Sequence, residues 1–189
     1  MKIISAKFIK GVIGEDKVFT DGIPQIAFLG RSNVGKSSLI NGLTHSSISR
    51  KSAFPGSTQE INIFLINKSI YFVDLPGYGF TRVSGIGKEK IGNLITEYIF
   101  NPNFNQKKIL LIIDAKTGMT EQDIEVFEEL EKHEKDFIII LNKIDKINQS
   151  DFHHRLVETK KFAGEYLVFP CSSKTKKGLD PILNYILKK

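Results

Sequence analysis

Eight consecutive residues, Gly30-Arg31-Ser32-Asn33-Val34-Gly35-Lys36-Ser37, place two glycines, a lysine and a hydroxyl between an apolar run and a helix-forming stretch. That context is what a phosphate-binding loop requires. Gly30 and Gly35 let the backbone curl so that successive N–H groups face one point, and the helix that follows adds its positive N-terminal end. Lys36 is expected to reach the β- and γ-phosphates of a nucleotide and Ser37 to put its hydroxyl on Mg²⁺. Arg31, Ser32, Asn33, Val34 and Ser38 complete the loop. By itself such a loop suits an ATPase, a kinase or a GTPase equally.

Asn142-Lys143-Ile144-Asp145 separates them. A carboxylate at Asp145 can accept from guanine N1–H and N2–H₂ together. Adenine presents an acceptor at N1 and no amino group at C2, so the same carboxylate would stay unpaired, which is costly in a closed site. Asn142 is expected to face the O6 and N7 side of the base, and the Lys143 stem to cover the ring. Asp74-Leu75-Pro76-Gly77 offers a carboxylate for a water-mediated contact to Mg²⁺ and an amide for the γ-phosphate. Thr58, in Phe54-Pro55-Gly56-Ser57-Thr58-Gln59, is the expected second Mg²⁺ hydroxyl, within a polar, turn-rich stretch from Thr44 to Glu60. Ser172-Ser173-Lys174 can bring amides and a hydroxyl to guanine O6. Each short motif taken alone also suits an ordinary turn or capping loop; their order along one chain does not.

Residues 77–87 carry four glycines in eleven, a mobile composition. The residue after Gly77, where many GTPases carry a water-orienting glutamine, is Tyr78. Slow intrinsic hydrolysis is expected from this, accelerated by a partner or an ion. No residue identifies itself as a catalytic base.

The elements that must hold these residues follow from patterning. Mostly continuous apolar segments at 2–9, 25–29, 61–66, 70–74, 109–114, 137–142 and 166–170 read as strands buried on both faces. Helices are expected at 36–43, 88–100, 120–133, 150–162 and 180–187. Thr120 and Ser150 are the expected N-caps, and Pro181 falls in a first turn. Three residues between 66 and 70 are too few for a crossover, so that pair is an antiparallel hairpin; the other strands alternate with helices and imply a parallel sheet. The fold class is α/β, with three layers.

At 189 residues with 41% hydrophobic and 25% charged side chains, the chain reads as one globular domain, 1–189, with a short N-terminal extension over 1–23. The single cysteine, Cys171, makes no internal disulfide, and no apolar run is long enough to span a bilayer. A cytoplasmic location is expected. The net charge of +6 is uneven, +4 over residues 1–60, −2 over 61–150 and +4 over 151–189. Basic ends suit a polyanion such as RNA, or simply a solubilising lysine-rich surface.

Taken together, the chain resembles the TRAFAC-class GTPases, and within them the EngB-type (YihA/YsxC) ribosome-assembly GTPases. The resemblance is carried by GRSNVGKSSL at 30–39, by Pro55-Gly56-Ser57-Thr58-Gln59 and above all by DLPGYGF at 74–80. It implies a Ras-like, six-stranded, mostly parallel sheet of order 2-3-1-4-5-6 with one antiparallel strand. It also implies GTP and GDP as ligands, Mg²⁺ as cofactor, a monomer, and a role in maturing the large ribosomal subunit, linked to cell division and septation. The basic ends would then meet ribosomal RNA by phosphate neutralisation. Asn33 matches an asparagine that binds K⁺ in related potassium-activated GTPases; bracing of the loop is the other role open to it. The chain departs from the family in having Asn142 where threonine is frequent, in lacking tryptophan, and in residues 115–119.

Overall fold

The structure, a computed structural model, describes residues 2–49, 60–79 and 85–188, without the side chains of residues 85, 86 and 88. Thr58, with the rest of its motif, and Phe80 lie outside the described residues. Among the described residues seven strands form one sheet: β1 (Ala6–Val12), β2 (Gln25–Gly30), β3 (Ile61–Ile66), β4 (Ile70–Asp74), β5 (Gln106–Asp114), β6 (Phe137–Asn142) and β7 (Val168–Pro170). Five helices flank it: α1 (Lys36–Thr44), α2 (Gly85–Phe100), α3 (Glu121–Lys132), α4 (Gln149–Ala163) and α5 (Leu179–Ile186).

Strands run in the order β1-β3-β4-β2-β5-β6-β7. β4, β2, β5, β6 and β7 are mutually parallel, and β3 is antiparallel to both its neighbours, β1 and β4. The expected order is therefore present, and the antiparallel hairpin with it. The expected count of six strands is corrected to seven. The 1–23 segment supplies β1, which pairs along the whole of β3 from Val12↔Ile61 to Ala6↔Ile66, with a bulge at Phe8/Lys10. Asn67 in the hairpin turn fixes its entry, accepting from the amides of Ile4 (2.8 Å) and Ser5 (3.2 Å). That pairing, invisible in local pattern, also moves the strand from 2–9 to Ala6–Val12.

Alternation within each strand feeds two cores. Ile26, Phe28, Leu110 and Ile112 pack with Leu39, Leu43, Ile182 and Ile186 under α1 and α5. Ala27, Leu29, Leu111 and Ile113 pack with Leu94, Tyr98, Phe127 and Leu130 under α2 and α3. Both faces are covered, which is why the strands are continuously apolar. At the amino end of β2 the buried Gln25 is satisfied on both sides, donating to Phe19 O (2.8 Å) and accepting from Tyr98 Oη (2.9 Å), and so ties α2 to the sheet.

Helix starts follow their capping chemistry. Thr120 precedes α3, and Asp123 closes a capping box with it. The expected cap Ser150 is corrected: Asn148 caps α4, accepting from Asp151 N at 2.9 Å, and Ser150 already lies inside the helix. The last strand is shorter than 166–170, because the Tyr166 ring leaves the ladder to stack on Phe137 with centroids 4.2 Å apart. The registers Phe28↔Asp74, Gly30↔Ile112, Asp114↔Asn142 and Leu141↔Pro170 bring the carboxyl ends of five strands to one rim. Ligands of open α/β sheets bind at that rim.

Candidate nucleotide-binding site

The loop from Gly30 to Gly35 leaves the centre of the sheet and turns into α1. Gly35 holds the turn at φ 104, and a Cβ there would lie 2.5 Å from Asn142 Nδ2. Glycine is required on both counts. No side chain caps α1, so its first amides face the cleft with the helix dipole behind them. Lys36 is buried and folds back along the loop, donating to Gly30 O (3.0 Å) and Arg31 O (3.3 Å). Burial brings its pKa down to about 8, with the Asp74 carboxylate working the other way. Asn33 stands exposed at the lip of the loop, Val34 is buried, and Ser38 lines the cleft.

Asp74, at the end of β4, sits below this loop. Its Oδ2 accepts from Ser37 Oγ (2.8 Å) and Ser49 Oγ (3.2 Å), while its Oδ1 is buried and has no partner among the described residues. Burial pushes the carboxyl upward, opposed by Lys36 and the two hydroxyls. A buried carboxylate with one oxygen orphaned beside two hydroxyls fits a hard divalent cation, which takes oxygen ligands. Ser49 was not singled out from sequence. It is one serine among several in the 44–60 stretch, and only its tie to Asn41 (2.7 and 2.8 Å) aims it at Asp74.

The other end of the cleft is cross-linked by one side chain. Asn142, expected to face the base, lines the cleft, and its amide also holds the surrounding loops. Nδ2 donates to Val34 O (2.9 Å), and Oδ1 accepts from Ser173 N (3.1 Å) and Ser173 Oγ (3.0 Å). It thus joins the phosphate loop to the loop after β7. Beside it the thiol of Cys171 is buried, and its pKa is pushed up to about 12. Asp145 is exposed on the short 3-10 turn Ile144–Lys146, where Ser172 Oγ donates to its Oδ1. Lys143 crosses the mouth, its Nζ on Asp114 Oδ2 (2.7 Å) and on the carbonyl of Asn33. Lys174 is exposed on the same wall. Between these walls lies an open cleft of about 520 Å³.

Gly77 packs against the phosphate loop so closely that a Cβ would fall 2.5 Å from Ser32 Oγ and 2.7 Å from Ser32 N. Arg31 and Tyr78 pair as an isolated parallel bridge, and both side chains turn to Asp123 of α3. Asp123 was read only as part of a helix cap, because nothing local links it to residues some 45 and 90 positions earlier.

Residues 25–143 match the family described as "50S ribosome-binding GTPase", and residues 107–189 match "Elongation factor Tu GTP binding domain". The probable GTP-binding protein EngB of Fusobacterium nucleatum subsp. nucleatum is 41% identical over 194 residues, covering 100% of this chain and 98% of that protein. Among solved structures, a probable GTP-binding protein EngB superposes with TM-score 0.68 at 29% identity, over 86% of this chain and 96% of that one. Era in complex with MgGDPNP and nucleotides 1506–1542 of 16S ribosomal RNA superposes with TM-score 0.73 at 27% identity, over 87% of this chain and 55% of that one. Likeness along the whole length, on a fold that gathers the phosphate and guanine motifs at one rim, settles the family: this chain belongs to the EngB family of P-loop GTP-binding proteins and is a GTPase.

Proposed function

We propose that the chain binds GTP and GDP across this cleft and hydrolyses GTP slowly, as a switch in assembly of the large ribosomal subunit. The observation that carries the nucleotide reading is the pairing of Ser172 with Asp145 at one end of a cleft whose other end holds Lys36 and the bare start of α1. One ligand would on this reading meet both a guanine-specific acceptor and an anion-binding loop. In this reading the backbone of residues 30–35 and Lys36 hold the phosphates, with Ser38 at their edge and Gly77 facing the γ-phosphate. Asp145 accepts from the guanine N1–H and N2–H₂, residues Ser172 to Lys174 address O6, and Lys143 shields the ring. Asn142 supports the base through the loops it ties.

GTPases of this family use Mg²⁺; Ser37 and Thr58 are the hydroxyls that would hold it and Asp74 its partner through water. The ion supplies charge neutralisation across the β- and γ-phosphates. Ser49, already on Asp74, is a further hydroxyl within reach of that position. Of the two roles open to Asn33, exposure favours K⁺, since among the described residues no hydrogen bond uses its side chain. Slow turnover follows from Tyr78 standing after Gly77, where many GTPases carry a water-orienting glutamine. The same observation favours a second reading, a GTP-gated binding module with negligible turnover.

The ribosomal role is supported by the family description and by the Era complex with ribosomal RNA. The basic balance of both ends, +4 each over residues 1–60 and 151–189, suits an RNA partner. A cytoplasmic monomer is part of the proposal; no described helix is long and apolar enough to cross a membrane. The test is co-sedimentation with ribosomal subunits in the presence of GDP, a non-hydrolysable GTP analogue or an ATP analogue. Selective capture by the large subunit with the GTP analogue is expected. Correct nucleotide loading without capture by either subunit in any state removes the ribosomal role. Turnover measured with K⁺ and subunits separates the switch from the inert module.

A further inference from the structure

The loop after β4 is fastened to the phosphate loop through both backbone and side chain. Ser32 N donates to Tyr78 O at 3.1 Å. The Tyr78 ring then carries its hydroxyl to Asp123 Oδ1 at 2.8 Å. Asp123 is fully buried in the first turn of α3, where the helix dipole favours its charge. Its Oδ2 accepts from Thr120 N (3.0 Å) and Thr120 Oγ1 (2.8 Å). The same oxygen lies 3.2 Å from Arg31 Nε, as an ion pair out of line for a hydrogen bond. One carboxylate therefore anchors the phosphate loop, the loop after β4 and a helix start.

The amide of Ser32 is one of the curled loop's own donors, and while Tyr78 O occupies it that donor is lost to an anion. Ser32 and Gly77 also stand in direct contact, leaving no gap between the two loops here. A diphosphate seated on Lys36 and the start of α1 does not need that gap. A third phosphoryl group, reaching for the amides of Ser32 and Gly77 together, does.

We propose that Tyr78 and Asp123 set the discrimination between di- and triphosphate: their hydroxyl–carboxylate bond holds the loop after β4 shut on Ser32, so GDP binds with the clasp intact and GTP binds only by breaking it. The inference rests on the cleft being the nucleotide site. Both are positioning residues; neither touches the reacting atoms. Arg31 brings a cation against the same carboxylate. By linkage, whatever opens the clasp from the side of α3 raises the affinity for triphosphate by the same factor by which triphosphate opens the clasp.

The test titrates wild type, Tyr78→Phe and Asp123→Asn with a fluorescent GDP and a fluorescent non-hydrolysable GTP analogue in Mg²⁺. Tyr78→Phe keeps the ring and deletes the hydroxyl. Its affinity for the GTP analogue relative to GDP is expected to rise about ten- to a hundredfold, the worth of one net hydrogen bond to a charged group, with GDP affinity unchanged. Asp123→Asn, which can still cap α3, is expected to shift the ratio in the same direction. An unchanged ratio in cooperatively folding variants, or both affinities falling together, overturns the clasp. Failure of wild type to bind either nucleotide overturns the site itself, and the same titration tells the two failures apart.

Discussion

The two ends of the cleft are built on opposite terms. At the base end, around Asn142, Ser172 and Ser173, the polar atoms answer one another: an amide with four hydrogen bonds, two serines close by, an aspartate already paired. At the phosphate end Asp74 Oδ1 and Ser32 Oγ are buried with no partner among the described residues, and Lys36 is folded onto the carbonyls of its own loop. Unsatisfied buried groups are costly and persist where a ligand will meet them. The base end is thus finished by folding, whereas the phosphate end is finished only by its ligand. Guanine recognition then needs little rearrangement, and the energy of phosphate and cation binding is free to drive a change of shape.

The sharpest way to break this contrast is Lys36→Ala. Nucleotide affinity is expected to fall roughly a hundredfold or more, from loss of charge-assisted bonds to phosphate. The ligand-free melting temperature should hold or rise, because a buried cation has been removed; a drop would mean that the phosphate end is as structural as the base end. Next in size is Asp145→Asn, for which GDP affinity should fall about thirtyfold and xanthosine diphosphate should regain most of it. The reason is that xanthine presents a C2 carbonyl to the new amide; calorimetric titration of both ligands decides it. Asn142→Ala should cost about 1–2 kcal/mol of stability before any ligand is added, by urea unfolding, since four hydrogen bonds inside the protein go with it. A stability loss seen only with nucleotide present would reverse the assignment of the base end as finished. The smallest effect concerns Cys171. With its thiol pushed up to about 12, native protein at pH 8 should alkylate with iodoacetamide at least about tenfold more slowly than unfolded protein. Asn142→Ala should narrow that difference.

What was legible in the sequence divides along the same line as local and long-range structure. The phosphate loop, the 66–70 hairpin and the Thr120 cap are written in adjacent residues, and period and turn chemistry gave them nearly to the residue. The seventh strand was not counted into the sheet, because its place depends on pairing with β3 some 50 residues away. Asn148 was passed over as a cap because Ser150, two residues on, offers the same chemistry and only the backbone angle chooses between them. The motif points Asn142 at the base, but its ties to Val34 and Ser173 depend on loops far apart in sequence and are not legible there. Tyr78, Asp123 and Arg31 lie in three separate motifs, and only the sheet order makes them neighbours.

The tie made by Asn142 also bears on time. Because one amide joins the phosphate loop to the loop after β7, neither wall of the cleft opens without straining the other. Departure of a bound nucleotide is then expected as a single event with one barrier, rather than a release of the base followed by a release of the phosphates. A factor that pulled on either loop would then speed both, and exchange of one nucleotide for the next would follow a single exponential.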